Sequence, residues 1–462
     1  MMANQDFTEI IWVEPIDATE RLSGGHRLAF LDSAVVATDI GRWSYLAVDP
    51  FGVFKVTDGV ASWNGEPINA SAISALRTVF ARYASPQISH GPPFQGGAIG
   101  MIHYEAASLF DDVAAIKGAP QIDLWFYDCV LAFNMAERRL FVTGTAHKAF
   151  KWPIRKPNTG TVAKVNIWND SRSRKTYEGE VRAVVESIRN GDIFQANLAH
   201  CFTGKSPNKL DALATYKSLR TANPAPFSAL LINGSDFVAS TSPERFLRLD
   251  GKHIETRPIK GTIRRNADPA LDQQQAETLK ASEKDRAENI MIVDLLRNDL
   301  SRVAAADSVE VDQLCKIESY ARLHHLVSIV SATLEDGYDW LDLLAATFPG
   351  GSITGAPKLK AMEIIADHEQ APRGIYCGAI GWIGFDGSMD LNIAIRTLTA
   401  CGHDLTLNAG GGITLLSDPA SEYDETLLKA EAVMSALAGG DAIKIQEPEN
   451  AIAVTEIIAV AA

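Results

Sequence analysis

Over the first 150 residues, apolar positions come in short runs that either alternate with polar residues or stand unbroken between Gly, Pro and Asp. Five runs show this pattern: RLAFLDSA, SYLAVDPFGVFKV, GGAIGMIHYEA, IDLWFYDCVLAFN and RLFVTGTA. A period of two residues, with turn-forming residues at both ends, is typical of β-strands joined by tight turns. The pattern therefore predicts an antiparallel sheet in this part of the chain.

The strand pattern lapses between Lys151 and Lys175, where the sequence is basic and rich in Pro, Asn and Ser. This stretch is a predicted linker or surface crossing. A helix is predicted directly after it, because apolar residues recur at helical spacing from Tyr177 to Ile188. Ser173 is its predicted N-cap, and Asn190-Gly191 is its predicted stop.

The rest of the chain alternates strand patterns with longer helical ones. Strands are predicted at IFQANLAHCF, PFSALLIN, DFVASTSPERFLRL and HIETRPIKG, and helices at 268–300, 338–347 and 357–367. Runs of strands with helices interspersed favour an α+β fold over a doubly wound one. The changes of pattern predict an N-terminal subdomain over 1–155, a main domain over 166–440 and a C-terminal tail over 441–462.

Composition and charge exclude several function classes. With 46% apolar and 22% charged residues the chain is globular, and its formal net charge of -14 disfavours binding to nucleic acid or to an anionic membrane. The five cysteines form no CxxC pair, so neither a disulfide framework nor a zinc site is predicted. The start of the chain lacks the basic character of a signal peptide, and no segment has ~18 consecutive apolar residues, so we expect a cytoplasmic protein.

A predicted helix near the C-terminus carries two carboxylates on one face. Asp418 is an N-cap followed by Pro419, and a helix from there places Glu422, Glu425 and Lys429 on one stripe that becomes apolar further on. Such carboxylates suit a Mg²⁺ ion shared with an anionic substrate. The alternative is a solvated face with an ordinary ion pair between Glu425 and Lys429.

Two further segments place charged residues beside apolar ones. In SEKDRAENIMIVDLLRNDL, Glu288 lies at the margin of an apolar helix face, where a metal ion or a lysine would offset the cost of its burial. A structural salt bridge is the alternative. In TRPIKGTIRR, Lys260 follows a rigid Arg-Pro-Ile step with other cations nearby, which favours the neutral, nucleophilic amine. A solvated surface lysine is the alternative.

Two glycine-rich segments predict anion sites built from backbone amides. FPGGSITGAPK runs into a helix at Pro357, where free N–H groups and the positive helix end attract anions. It is not a Walker A loop, because Ala356 stands where the lysine belongs. In DLTLNAGGGIT, Gly410–Gly412 allow the backbone to approach a ligand closely. An ordinary helix start and a tight hairpin are the respective alternatives.

Taken in order, these segments resemble the chorismate-utilising enzymes, the family of anthranilate synthase component I, aminodeoxychorismate synthase component I and the isochorismate synthases. The resemblance runs from about Tyr177 to Leu437, through IFQANL, SPERF, RPIKGT, SEKDRAENIMIVDLLRND, HLVS, FPGGSITGAPK, RGIYCGAIGW, LNIAIRTL, GGGIT and EYDETLLKA. It is looser over residues 1–150. It implies large antiparallel β-sheets packed as a sandwich with helices on the outside, and a chorismate-binding catalytic domain over 166–440.

The resemblance also implies a reaction. Anthranilate synthases carry Ala at the position of Lys260, whereas aminodeoxychorismate synthases have the PIKGT form found here. In those enzymes the lysine is proposed to attack C2 of chorismate and expel the 4-hydroxyl, before ammonia enters at C4. Glu244 would be the general acid. Isochorismate synthases have a water-activating lysine at the position of Gln195, so this glutamine implies ammonia as the nucleophile and 4-amino-4-deoxychorismate, a precursor of 4-aminobenzoate and folate, as the product.

Further site residues follow from the same resemblance. Mg²⁺ would be held by Glu288, Glu425 and Glu422. Asp32 and Ser33 would contact tryptophan in the N-terminal subdomain, where a plain β-strand is the alternative interpretation. Chorismate would be bound by Gln195, Thr262, His325, Thr354, Gly355, Tyr376, Arg396, Gly410, Gly411, Gly412 and Lys429.

The resemblance implies a partner as well. The sequence shows no nucleophilic cysteine of the glutaminase type followed by His-x-Glu, so a separate glutamine amidotransferase subunit is expected to supply ammonia. Anthranilate synthase component I is the first alternative function. A non-catalytic protein that binds chorismate or tryptophan is the second alternative, from a different class.

Overall fold

The computed structural model describes residues 7–24, 27–35, 40–144, 150–152, 162, 164–320 and 323–448. In chain order the strands are β1 (Phe7–Ile10), β2 (Arg27–Asp32), β3 (Trp43–Val48), β4 (Gly52–Thr57), β5 (Val60–Trp63), β6 (Glu66–Ser71), β7 (Gly97–Ile102), β8 (Pro120–Tyr127), β9 (Cys129–Asn134), β10 (Arg139–Gly144), β11 (Ile167–Asp170), β12 (Gln195–Lys205), β13 (Phe227–Asn233), β14 (Asp236–Ser242), β15 (Arg245–Asp250), β16 (His253–Arg257), β17 (Ile259–Arg264), β18 (Glu310–Ser319), β19 (Leu323–Thr333), β20 (Gly355–Ala356), β21 (Ala379–Gly384), β22 (Met389–Asn392), β23 (Thr397–Cys401), β24 (Asp404–Ile413) and β25 (Lys444–Gln446). The α-helices are α1 (Pro15–Leu22), α2 (Ala72–Tyr83), α3 (Arg174–Arg189), α4 (Ala212–Ala222), α5 (Pro269–Ala281), α6 (Glu283–Ser301), α7 (Trp340–Thr347), α8 (Lys358–Glu369) and α9 (Pro419–Ala438).

The strands form two large sheets. The first has the order β1-β10-β9-β3-β2-β13-β14-β23-β24-β12-β11-β25, with β20 paired to β12. The second has the order β17-β19-β16-β15-β22-β21-β7-β8-β4-β5-β6, with β18 paired to β19. Among the described strands, only β11 and β25 pair in parallel.

Each sheet combines strands from before residue 145 with strands from after residue 166. The two predicted segments therefore share one framework, and the boundaries at 155 and 166 stay predictions. Residues 153–161 and 163 of the predicted linker, and 449–462 of the predicted tail, lie outside the described residues. Within that tail, β25 extends the first sheet by pairing with β11.

Three apolar clusters show how the layers are packed. One lies between the sheets and combines residues such as Tyr45 of the first sheet with Trp125 of the second. A second joins the outer face of the first sheet to α1, α4 and α9. A third joins the second sheet to α2, α6 and α7. The α+β sandwich with helices on the outside is thereby confirmed.

Local signals placed most helix boundaries well. The predicted caps are confirmed for α3, where Ser173 accepts from the N–H of Thr176, and for α9, where Asp418 accepts from the N–H of Ser421. The single helix predicted over 268–300 is wrong. It is divided at Ser282, which is extended and whose hydroxyl accepts from the N–H of Asp285 to cap α6. The Ser282 hydroxyl caps the start of α6 instead of allowing α5 to continue, and this explains why two helices form where one was predicted.

Two helices in the first 150 residues, α1 and α2, were not predicted from the strand pattern. Within α2, the apolar residues Ala72, Ala75, Leu76, Val79 and Phe80 face the core at helical spacing. This signal is only about three turns long and lies between strands, which is why the strand pattern around it hides it.

None of the helices in the described part of the chain is long and apolar enough to cross a membrane. All five cysteines lie in that part, and none of them is in a disulfide.

Candidate active site

The centre of the site is a largely buried pair of opposite charges. Lys260 on β17 donates to Glu288 Oε1 on α6 over 2.8 Å and to the carbonyl of Ser352 over 3.0 Å. Gln195, at the start of β12, donates its Nε2 to the same Glu288 oxygen over 2.8 Å. Burial pushes the pKa of Glu288 up, but the charge and hydrogen bond of Lys260 outweigh this effect and lower it. The side chains of Lys260 and Glu288 are 11% and 12% exposed, so Lys260 is not the solvated lysine of the alternative interpretation.

Glu244, directly before β15, lies beside this pair. It is buried, and burial raises its pKa to about 7, against the opposing effects of a hydrogen bond from Ser352 and the charge of Lys260. Its Oε1 also accepts a long hydrogen bond of 3.5 Å from the N–H of Ile259. A carboxyl group that is half protonated near neutral pH suits the role of a general acid.

The helix α9 brings two further carboxylates, each with a lysine. Glu422 is buried, accepts from the hydroxyl of Ser417 over 2.6 Å and lies 3.7 Å from Lys284 Nζ. Burial raises its pKa, and the charge of Glu425 adds to this, against the Ser417 hydrogen bond. Glu425 pairs with Lys429 over 2.8 Å, as the solvated-face alternative expected. Burial raises the pKa of Glu425, but Lys429 and Lys284 outweigh it and lower the value.

Three glycines make room for these groups. Gly410–Gly412 lie within β24 and pair with β12, so the alternative of a tight hairpin is wrong. A Cβ on Gly411 would lie 3.2 Å from Glu422 Oε2, and one on Gly412 would lie 2.2 Å from Gln195 Nε2 and 2.8 Å from Glu288 Oε1. Lys429 donates to the carbonyl of Gly410 over 3.0 Å. Glu288 of α6 and Glu422 of α9 therefore both approach a stretch of β24 that has no side chains.

The carboxylates of Glu288, Glu422 and Glu425 fit a magnesium ion by their chemistry. They are hard oxygen donors, and repulsion couples Glu422 to Glu425 and Glu425 to Glu288. Among the described residues, no group of three or more His, Cys, Asp or Glu side chains is already arranged to hold a metal ion. Mg²⁺ commonly takes one or two carboxylates and completes its shell with substrate and water, which this set allows.

On another wall, Thr262 and His325 pair across neighbouring strands. Thr262 Oγ1 is 2.8 Å from His325 Nδ1. Burial, with the nearby charge of Arg396, lowers the pKa of His325 to about 3, so the ring is neutral. Arg396 has a positive φ of 51°. Burial lowers the pKa of Arg396, and the charge of Glu244 opposes this. No described residue forms a hydrogen bond or ion pair with its guanidinium, which leaves it available to an anion.

The remaining predicted substrate residues lie around the same region. Thr354 donates its hydroxyl to the carbonyl of Gly350 over 3.0 Å, so that group is engaged. Gly355 pairs with Ala196, and a Cβ there would lie 2.1 Å from the carbonyl of Gln195. Tyr376 is buried. The roles assigned to these residues stay predictions.

Three residues of the site were missed by sequence reasoning: Ser352, Ser417 and Lys284. Ser352 is one of the two hydroxyls in the glycine-rich segment, and Lys284 lies four residues before Glu288, so weak signals were present. The contacts of Ser352 with Glu244 and of Lys284 with Glu422 depend on long-range packing, which spacing does not reveal. Ser417 contacts Glu422 from only five positions away.

Asp32 and Ser33 lie apart from these residues, at a separate pocket of about 340 Å³. The Asp32 carboxylate accepts from Tyr216 Oη over 2.8 Å and from Arg220 Nε over 2.5 Å. The Ser33 hydroxyl donates to the carbonyl of Trp43 over 2.7 Å. Both side chains already have partners, and tryptophan binding stays a prediction. The lining also includes Tyr45, Phe227, Arg245, Arg248 and Trp382.

Together, the fold and the site define an α+β enzyme that combines a buried lysine, a carboxyl acid and carboxylates suited to a divalent cation. Residues 32–435 match the chorismate binding enzymes, and the chain belongs to this family. It is 41% identical over 360 residues to aminodeoxychorismate synthase component 1 of Salmonella typhimurium, covering 76% of this chain and 79% of that protein. It is 33% identical to anthranilate synthase component 1 of Streptomyces coelicolor, covering 93% and 88%. The crystal structure of anthranilate synthase component I from Streptococcus pneumoniae TIGR4 matches with a TM-score of 0.76 at 28% identity, covering 92% and 99%.

The glycines of β24 yield a test of the site. For Gly412→Ala we expect chorismate affinity to fall about tenfold, because the new Cβ displaces the ends of Gln195 and Glu288 that meet in the cleft. For Gly410→Ala we expect a lower melting temperature, because its Cβ would lie 2.4 Å from the backbone carbonyl of Leu198. Calorimetric binding and thermal unfolding of both variants check this. Wild-type affinity in a folded Gly412→Ala protein would contradict it.

Proposed function

We propose that this chain is the large component of an aminodeoxychorismate synthase, which converts chorismate and ammonia into 4-amino-4-deoxychorismate and water. The observation that carries the proposal is the position of Lys260, buried in the cleft between Glu288 and Ser352 and beside Glu244. A lysine there provides a nucleophile that the rival route to anthranilate, direct addition of ammonia to the ring followed by elimination of pyruvate, does not need. The 41% identity to a relative of this name supports the same function.

In the proposed reaction, Lys260 first loses the proton of its ammonium group to solvent, and the free amine then forms a bond to C2 of chorismate. Both ring double bonds shift, the C4–O bond breaks, and Glu244 gives its proton to the departing hydroxyl, which leaves as water. Ammonia then forms a bond at C4 while the C2–N bond to Lys260 breaks and the double bonds shift back. The extra proton of the new ammonium group returns to Glu244, so the ring, the lysine amine and the acid are all restored. A pKa of about 7 allows Glu244 to hold the required proton near neutral pH.

Gln195 supports ammonia rather than water as the second nucleophile. Its amide has no proton to gain or lose near neutral pH, so it cannot activate water as a base. Its Nε2 is held by Glu288, while its Oε1 is buried and has no partner in the described residues. We propose that a glutamine amidotransferase subunit supplies the ammonia, in keeping with the designation of the relative as a component 1.

We propose that Glu288, Glu425 and Glu422 hold Mg²⁺ together with a chorismate carboxylate. When bound, the ion neutralises charge on the substrate and orients it. Arg396 and Lys429 bind the other carboxylate in this proposal, assisted by the amides of Gly410–Gly412.

Product analysis tests the function directly. Chorismate, Mg²⁺ and ammonium chloride should yield 4-amino-4-deoxychorismate by mass spectrometry. Fluorescent anthranilate with release of pyruvate as the main outcome would instead establish the first alternative, which the 33% identity over 93% of the chain makes a serious one. Chorismate binding without turnover would establish the non-catalytic alternative.

The nucleophilic role of Lys260 predicts that Lys260→Ala lowers the turnover rate by at least about a hundredfold while the protein stays folded. Lys252→Ala is the control, because Lys252 is an exposed lysine paired with Asp336. Initial rates at saturating chorismate and ammonia measure the effect. A Lys260→Ala variant as fast as the wild type would exclude the lysine as the nucleophile.

The general-acid role of Glu244 predicts that kcat falls as the pH rises through about 7, because the proton-carrying form is lost. Glu244→Gln should be slow and lack this limb, whereas the exposed control Glu277→Gln should retain it. A raised carboxyl pKa in the folded protein also means that stability is lost as pH rises from the ordinary value of 4.5 to about 7, relative to Glu244→Gln. An identical pH profile in Glu244→Gln would refute the role.

The metal proposal predicts that Glu425→Gln weakens Mg²⁺ binding about tenfold in a calorimetric titration without turnover, because one anionic oxygen donor is lost. Asp424→Asn is the matched control, because Asp424 is 62% exposed and pairs with Arg174 instead. Identical Mg²⁺ titrations of Glu425→Gln and wild type would show that Glu425 is not a ligand.

A further inference from the structure

Strand β12, which begins with Gln195, has an incomplete edge beside the site. On one side it pairs along its length with β24. On the other side β20 pairs only with its first two residues, and β11 only with Phe202–Gly204. Between them the backbone of Asn197 and Ala199 faces no described strand. Buried backbone groups without partners are costly, so other groups must satisfy them.

Side chains from elsewhere replace the missing strand. The carbonyl of Asn197 accepts from Arg373 Nη2 over 2.6 Å, and its N–H donates to the carbonyl of Thr354 over 2.7 Å. The N–H of Ala199 donates to Glu369 Oε1 over 2.9 Å. The carbonyl of Ala199 accepts from Arg172 Nη1 over 3.0 Å. Arginine and glutamate side chains thus hold the part of β12 that follows Gln195.

Arg373 connects this part of β12 to several other groups, and its side chain is 3% exposed. It forms a two-pronged pair with Glu369, with Nε–Oε2 at 2.8 Å and Nη2–Oε1 at 2.7 Å. Its Nη1 donates to the carbonyl of Ile353 over 3.1 Å, directly before Thr354. Its guanidinium also stacks 4.6 Å from the ring centroid of Tyr104. One planar side chain therefore joins β12 to the glycine-rich turn.

The backbone of Arg373 is held as well. Its N–H donates to Glu105 Oε1 over 2.7 Å, and the N–H of Gly374 donates to the same oxygen over 3.3 Å. Its carbonyl accepts from the N–H of Tyr376 over 3.2 Å and from Asn408 Nδ2 over 3.1 Å. These backbone bonds help to hold the turn that carries Tyr376, and the Arg373 guanidinium itself lies 5.8 Å from the Tyr376 ring centroid.

We propose that Arg373 is a positioning residue for substrate binding, which sets the relative positions of Gln195, the Thr354 turn and Tyr376 without contacting the substrate. The inference rests on the proposed function of those three elements as the substrate-binding wall. Arginine is required because its rigid fork donates to a carboxylate and two carbonyls at once. Lysine would retain the charge beside Glu369 but not this geometry.

The test compares Arg373→Lys with Arg172→Lys. Arg172 is the matched control because it is also largely buried and supports the same strand from Ala199, farther from Gln195. For Arg373→Lys we expect the dissociation constant for chorismate, measured by calorimetry, to rise about tenfold. We also expect KM for chorismate to rise more than kcat falls. For Arg172→Lys we expect a comparable loss of melting temperature, but a dissociation constant within about twofold of wild type.

Equal chorismate affinity in the two folded variants would overturn the inference, because Arg373 would then be a structural residue only. If Arg373→Lys does not fold, Glu369→Gln replaces it, since the amide keeps an acceptor for Ala199 but loses half of the fork. For Glu369→Gln, a rise in the dissociation constant for chorismate that is smaller than the one expected for Arg373→Lys supports the inference. A dissociation constant equal to that of the wild type overturns it. Binding is measured without ammonia, so a wild-type protein that binds chorismate but forms anthranilate would refute the proposed function and leave this comparison intact.

Discussion

The cleft depends on one buried carboxylate, that of Glu288. Moving an ionised carboxylate out of water costs free energy, on the order of several kcal/mol, unless charged and hydrogen-bonding partners replace the water. Here Lys260 and Gln195 both donate to one of its oxygens, from two different strands. The bare backbone at Gly412 makes this meeting possible, because a Cβ there would collide with Gln195 Nε2 and Glu288 Oε1. The geometry of β12, β17, β24 and α6 is therefore tied to a single acceptor atom.

Much of the local structure was accessible from the sequence because its causes are local. Ser173 and Asp418 were predicted as caps since each precedes a run of helical periodicity, and the structure has both bonds. The shared face of Glu422, Glu425 and Lys429 follows from 3.6 residues per turn. The division at Ser282 was harder to predict, because the sequence on both sides of it has a helical pattern. The two helices are separated by Ser282 alone, whose hydroxyl accepts from the N–H of Asp285 and caps α6.

Other parts of the site depend on contacts between distant segments, which no local pattern encodes. Gln195 and Glu288 are 93 positions apart, and Arg373 and Glu105 are 268 apart. Spacing alone did not indicate Gln195, Glu244 or Arg396, which came from resemblance to a family. Spacing also did not indicate Lys284, because nothing in the local sequence distinguishes it from other exposed lysines on helices. Its role becomes visible only in the structure, where α9 places Glu422 beside it. The sheet order, which interleaves early and late strands, is the reason that these segments meet.

The charges of the cleft explain how a protein with a net charge of -14 can hold an anion. Four carboxylates, on Glu244, Glu288, Glu422 and Glu425, stand near four basic side chains, on Lys260, Lys284, Lys429 and Arg396. These charges cancel when Glu244 is ionised and leave one positive charge when it is protonated. A substrate with two carboxylates therefore needs further positive charge, and the proposed Mg²⁺ ion, bound to the same carboxylates, would supply it and would release their lysines from pairing. Under that proposal, the acidic residues are the means by which the cleft recruits positive charge, rather than an obstacle to binding an anion.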